Sequence, residues 1–111
     1  MESFKYCKLE IFIPESHFAV LCDRLQKLDV GHIGNYDCCL SYSKVQGRWR
    51  PLDGSNPFIG ENHNISCEEE LKVEAICSFN NIEKVVKEKK KIHPYEEPVI
   101  NVIPLYMTGL K

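Results

Sequence analysis

Residues 8–28, KLEIFIPESHFAVLCDRLQKL, lie over residues 72–92, KVEAICSFNNIEKVVKEKKKI, without a gap. Lys8-Leu9-Glu10 meets Lys72-Val73-Glu74, and Phe18, Leu21, Cys22 and Leu28 meet Ile82, Val85, Val86 and Ile92. A chain that repeats one unit twice must place two copies of one supersecondary element in a common core. Each copy also changes period midway. Cys7, Leu9, Ile11 and Ile13 alternate with polar or outward residues, and so do Leu71, Val73, Ala75 and Cys77, which is the period of a strand. From Phe18 the apolar residues recur as Phe18, Leu21, Cys22 and Leu25, one face of a helix.

The punctuation agrees. Pro14 suits the start of the first helix region and Gly31 its end. Asn80 or Asn81 is the expected cap of a second helix running to about Ile92, where Pro94 stops it. A strand is expected after each helix. The first covers Asn35–Ser43, with Tyr36, Cys38, Leu40 and Tyr42 on one face; the second covers the β-branched run Val99–Leu105. The order β-α-β, connection, β-α-β predicts an α+β ferredoxin-like βαββαβ domain: one four-stranded antiparallel sheet with both helices on one face.

In that layout the faces are set by alternation. The cysteines, leucines, isoleucines and valines above face the helices, with Cys22 also read as core. The other face carries Lys8, Glu10, Phe12, Lys72, Glu74 and Ile76. Cross-strand Lys/Glu pairs would add a few tenths of a kcal/mol each. The two apolar residues among them, Phe12 and Ile76, point to burial against another subunit.

Length and composition bound the rest. The 111 residues make a single domain spanning 1–111, with 43% apolar and 27% charged residues, ordinary for a soluble globular chain. The net charge of −2 gives no overall attraction to nucleic acid or to an anionic membrane. No apolar run approaches the roughly 20 residues that cross a bilayer, and the start MESFKYCKLE has no continuous apolar stretch of the kind a secretory signal needs. The six cysteines show no CxxC pair or Cys/His ladder, and Cys38 and Cys39 are adjacent, so reduced thiols in a cytoplasmic protein are expected rather than a disulfide framework or a structural zinc site.

Two stretches hold chemistry. The connection between the halves, about Lys44 to Glu69, contains QGRWRPLDGSNPFIG. Trp49, Leu52, Phe58 and Ile59 can anchor it, and its glycines and prolines supply turns. Arg48 and Arg50 straddle Trp49, so they either grip an anion or partner surface or pair with neighbouring carboxylates in an ordered loop. The second stretch is HPYEEP, residues 93–98. Its prolines make it a joint between helix and strand. His93 offers an imidazole nitrogen and Glu96 and Glu97 offer oxygens, ligand types that suit a divalent transition metal.

KYCKLEIFIPESHFAVLCDRL, GHIGNYDCC, GRWRPLDGSNPFIG and HPYEEPVINVIPL, in this order and spacing, together resemble the YqfO-type domain, the PII-like, CutA-like insert of Nif-three-like proteins often described as GTP cyclohydrolase type 2 homologues. The resemblance runs nearly end to end. HPYE is also similar to the motif of CutA-type divalent-cation-tolerance proteins, whose fold is a ferredoxin-like trimer. Trp49 stands where relatives tend to have a smaller aromatic and Ser55 where they tend to have alanine, while Cys38 and Leu40 are atypical. The catalytic main domain of the longer relatives carries a two-metal site with a double histidine, and nothing of that kind stands in this sequence.

The resemblance implies a non-catalytic, oligomeric binding or regulatory module, a homotrimer, taking a divalent metal, a small anionic ligand or a partner protein at a subunit cleft. The residues expected to bind ligand are Arg48, Trp49, Arg50, Asp53, Asn56, Tyr95 and Glu97, with His93 and Glu96 as metal ligands. The alternative is a metal-dependent hydrolase of nucleotides or phosphoesters centred on His93 and Glu96, with no G-x-S-x-G or His-Glu-x-x-His motif behind it. RNA binding is not expected: LKVEAIC lacks the aromatics of an RNA-reading strand, and KEKKK suits a solvated helix face.

Overall fold

The computed structural model describes residues 4–88 and 99–110. Over these residues the chain runs β1 (Tyr6–Ile13), α1 (Phe18–Lys27), β2 (Ser41–Trp49), β3 (Ser66–Ser78), α2 (Ile82–Lys87) and β4 (Ile100–Leu105). The strands form one antiparallel sheet in the order β2-β3-β1-β4. This is the ferredoxin-like α+β plan expected from the repeat.

The two copies match in backbone as well as in sequence. A 3-10 turn precedes each helix, Glu15–His17 in the first and Phe79–Asn81 in the second. Pro14 (φ −64°, ψ 145°) and Ser78 (φ −66°, ψ 142°) enter these turns with nearly the same torsions. The core lies between the helices and one sheet face. Cys7, Leu9, Ile11 and Ile13 of β1 and Leu71, Val73, Ala75 and Cys77 of β3 are buried there against Leu21, Leu25, Ile82 and Val85. Each large aliphatic side chain so buried contributes roughly 1.5–3 kcal/mol.

Several expectations are corrected. The strand expected over Asn35–Ser43 begins only at Ser41 and continues to Trp49. Residues 35–40 instead form part of a turn segment with an Ile33–Tyr36 bridge, and of Tyr36, Cys38, Leu40 and Tyr42 only Tyr42 lies in a strand. The cause is local: Gly34 (φ 56°) and Cys38 (φ 58°) are left-handed, which no continuous strand tolerates. Downstream, the polar run to Trp49 becomes a strand because its backbone pairs along β3, with Lys44 also 3.4 Å from Glu69. The connection expected over Lys44–Glu69 therefore shrinks to residues 50–65.

Asn81 occupies the cap position of α2 but makes no side-chain cap bond. Its amide donates instead to the backbone carbonyl of Leu28, tying the second helix start to the end of the first. α2 is assigned through Lys87, and the expected continuation to Ile92 lies outside the described residues. The last strand starts at Ile100 rather than Val99. Cys22 is half-buried rather than core. All six cysteines are free thiols.

Candidate functional site

The sheet face turned away from the helices has two parts. Its centre is charged: Lys8 reaches Glu74 at 2.7 Å and Glu10 at 3.7 Å, and Lys72 reaches both glutamates at 3.6 Å. The hydrogen bond with Lys8 holds the Glu74 carboxyl below its ordinary value, and the same bond raises Lys8. The expected Lys/Glu pairing is therefore present.

The other part is a cleft of about 640 Å3. The β2–β3 register explains where it sits. Val45 faces Glu70, Gly47 faces Glu68 and Trp49 faces Ser66, all on the open side of the sheet together with Phe12 of β1. Residues 50–65 then fold back as a roof, with Pro51, Leu52, Phe58 and Ile59 on the cleft wall. The roof is held by its own bonds. The Trp49 indole N–H donates to the Ile59 carbonyl at 3.2 Å, the Ser55 hydroxyl donates to the Leu52 carbonyl at 2.7 Å, and the His63 amide donates to the Pro51 carbonyl at 2.6 Å. The Phe58 ring stands edge-on to His17, 5.4 Å between centroids, which pins the roof to the turn after β1.

Of the residues singled out from sequence, Arg48, Trp49, Arg50 and Asp53 line this one cleft. Among the described residues neither guanidinium forms an ion pair, so the arginines are not spent on holding the loop. Asp53 is committed within the loop, its carboxylate 2.5 Å from the His63 ring. Asn56 belongs to the same loop but not to the cleft lining. His93, Tyr95, Glu96 and Glu97 lie outside the described residues. Among the described residues no group of three or more metal-ligating side chains converges.

Sequence reasoning missed Glu70. It is buried to 7% exposure and lines the cleft, although it closes an acidic run, Glu68-Glu69-Glu70, that reads as solvated. Its carboxylate occupies the space over Gly47, where any Cβ would collide with it. A lone glycine within a strand was the available signal, since it often marks a close approach of another group.

No protein-family model matches the chain. It is 41% identical over 102 residues to a GTP cyclohydrolase 1 type 2 homologue of Halalkalibacterium halodurans, covering 92% of this chain and 27% of that protein. Among solved structures, a Bacillus cereus protein related to NIF3 superposes with a TM-score of 0.80 at 29% identity, over 99% of this chain and 28% of that one. The PII-like protein CutA from Nostoc sp. superposes at 0.65 with 18% identity, over 90% of this chain and 81% of that one, a likeness of fold. The chain thus spans little more than a quarter of the length of its Nif-three-like relatives. It has a PII/CutA-like fold and is similar in sequence to a segment of the GTP cyclohydrolase 1 type 2 homologues.

Proposed function

We propose that the protein is a non-catalytic, oligomeric binding or regulatory module whose ligand enters the cleft between the open sheet face and the 50–65 roof. The roofed cleft itself carries this reading. Its volume and its mainly apolar wall with a few polar groups are those of a small-molecule site. The exposed Arg48 and Arg50 among its lining residues suit an anionic group, and Trp49 offers a flat surface. The HPYEEP stretch is proposed as a further contact, with Tyr95 and Glu97 toward ligand and His93 and Glu96 toward a divalent metal.

A homotrimer is the favoured assembly, supported by the half-buried Phe12 and Ile76 on the open face. Free thiols throughout support a reducing compartment, the cytoplasm. No described helix is long and apolar enough to cross a membrane.

Calorimetric titration with zinc, copper and nucleotides, beside a turnover assay on nucleotides and phosphoesters, tests this function. Saturable binding without turnover is expected. Metal-dependent turnover abolished by His93→Ala with Glu96→Ala would replace it with the hydrolase reading.

A further inference from the structure

The inner wall of the cleft contains a carboxylate in an unusual position. Glu70 is more than nine-tenths buried, and among the described residues its side chain has no hydrogen-bond or ion-pair partner. A buried carboxyl group without a hydrogen-bond partner is unfavourable, and such a group is kept where something else completes it. Its neighbours do not supply that completion: Val45 is opposite in the ladder, and Gly47 presents only backbone. The lysines of the open face are engaged elsewhere, Lys8 and Lys72 with Glu10 and Glu74.

We propose that Glu70 is the recognition group of a site for a small organic cation, an amidinium, guanidinium or protonated amine borne on a flat apolar body. The body would rest between Trp49, Phe12 and Phe58, which surround the same cavity. The cationic N–H groups would donate to the carboxylate, a charge-assisted pairing favoured by the burial of that side chain. Aromatic faces add attraction for the same charge. Absence of a side chain at position 47 is part of the device, because it gives the carboxylate its place in the wall. A second copy of the chain is the weaker candidate for occupant, since the chain's own loop roofs the cleft and leaves a cavity rather than a flat docking face.

The inference rests on the reading of the cleft as a ligand site and adds the charge and shape of the ligand's inner end. Trp49, the single tryptophan of the chain, lines the cleft and reports on it by fluorescence. The 111-residue chain is titrated with benzamidine, neutral benzamide and anionic benzoate, three probes of one shape. Benzamidine is expected to change the Trp49 emission saturably and to bind best. Glu70→Gln should weaken it roughly 10- to 100-fold, the cost of one charge-assisted pair. Gly47→Ala, which evicts the carboxylate while keeping its charge in the chain, should weaken benzamidine likewise. Circular dichroism confirms that each variant is folded.

Equal binding of benzamidine and benzoate, or undiminished benzamidine binding by Glu70→Gln, overturns the inference but leaves the cleft a ligand site. So does binding of benzoate or nucleotides without benzamidine. Silence of Trp49 toward all three probes overturns the inference, and failure of zinc, copper and nucleotides to bind in calorimetry as well defeats the ligand-site reading. A change of oligomeric state in Glu70→Gln without any benzamidine binding assigns the carboxylate to a second copy and overturns the small-cation site.

Discussion

The amide of Gly31 donates to the carbonyl of Ile76 at 2.8 Å, fastening the turn after α1 to β3, the strand that opens the repeat's second copy. The Gly31 carbonyl in turn accepts from the Cys39 amide at 3.0 Å, so one residue anchors both ends of the turn segment that leads into β2. Gly31 is left-handed (φ 81°), and a Cβ there would collide with the Cys39 carbonyl.

Gly31→Ala is therefore expected to lower stability by more than the roughly 1–2 kcal/mol of left-handed backbone strain alone. Gly34 is also left-handed but has open space around its Cβ position, so Gly34→Ala should incur the backbone strain only. Urea midpoints of the two variants give the comparison. Equal losses would show that the close approach at Gly31 carries no weight.

His32 has a pH signature. Its ring lies 2.9 Å from the Asp29 carboxylate and 3.0 Å from the Gly34 carbonyl. The hydrogen bond to Asp29 is the main cause raising its pKa, followed by the charge of that carboxylate. The folded state then binds the proton more tightly than the unfolded chain. The resulting stabilisation is fully present below the unfolded histidine value of about 6.5 and is lost as pH rises through the raised folded value. The pair is exposed, so the effect is small. His32→Gln should destabilise the protein more at acid pH than at about pH 8.5. A gap that widens toward alkaline pH would contradict the assignment.

The thiols divide by burial. Burial pushes the Cys77 thiol up to about 12 and raises Cys7 as well. Cys38 and Cys67 are exposed, although desolvation and then the charge of Asp37 raise Cys38. Alkylation of the native protein near neutral pH, read by peptide mass, should label Cys67 and, more slowly, Cys38. Cys7 and Cys77 should react only in denaturant. Native labelling of Cys77 would mean that the β1–β3 core opens readily.

The proposed assembly is tested best at Ile76. Phe12 lines the cleft as well as the open face, so Phe12→Glu disturbs two functions at once. Ile76 lies beside Lys8 on the open face, away from the cleft lining. Ile76→Glu should dissociate the oligomer in light scattering while leaving Trp49 emission unchanged, because a charge in a desolvated contact is strongly unfavourable. A wild-type monomer at micromolar concentration would dispose of the oligomer.

The sequence by itself determined the elements whose pattern is local. The strand alternation of β1 and the inner half of β3, the helix face of Phe18, Leu21 and Leu25, and the duplication that joins them need only the periodicities of backbone geometry. The placement of Arg48, Trp49, Arg50 and Asp53 near one another followed from their closeness in the chain. What the sequence left hidden was decided by pairing between distant segments. The stretch Lys44–Trp49 is polar enough to read as loop, and it is a strand because Ser66–Leu71 offers it a complementary edge. Asn81 reads as a cap, yet the end of α1 lies close enough for its amide to bond Leu28 instead. Glu70 looks like one more solvated acid, and only the register that sets it over Gly47, beneath a loop folded back across the sheet, makes it a buried carboxylate in a cavity. Periodicity is written along one segment; register and burial belong to two or more, and only the folded chain brings those together.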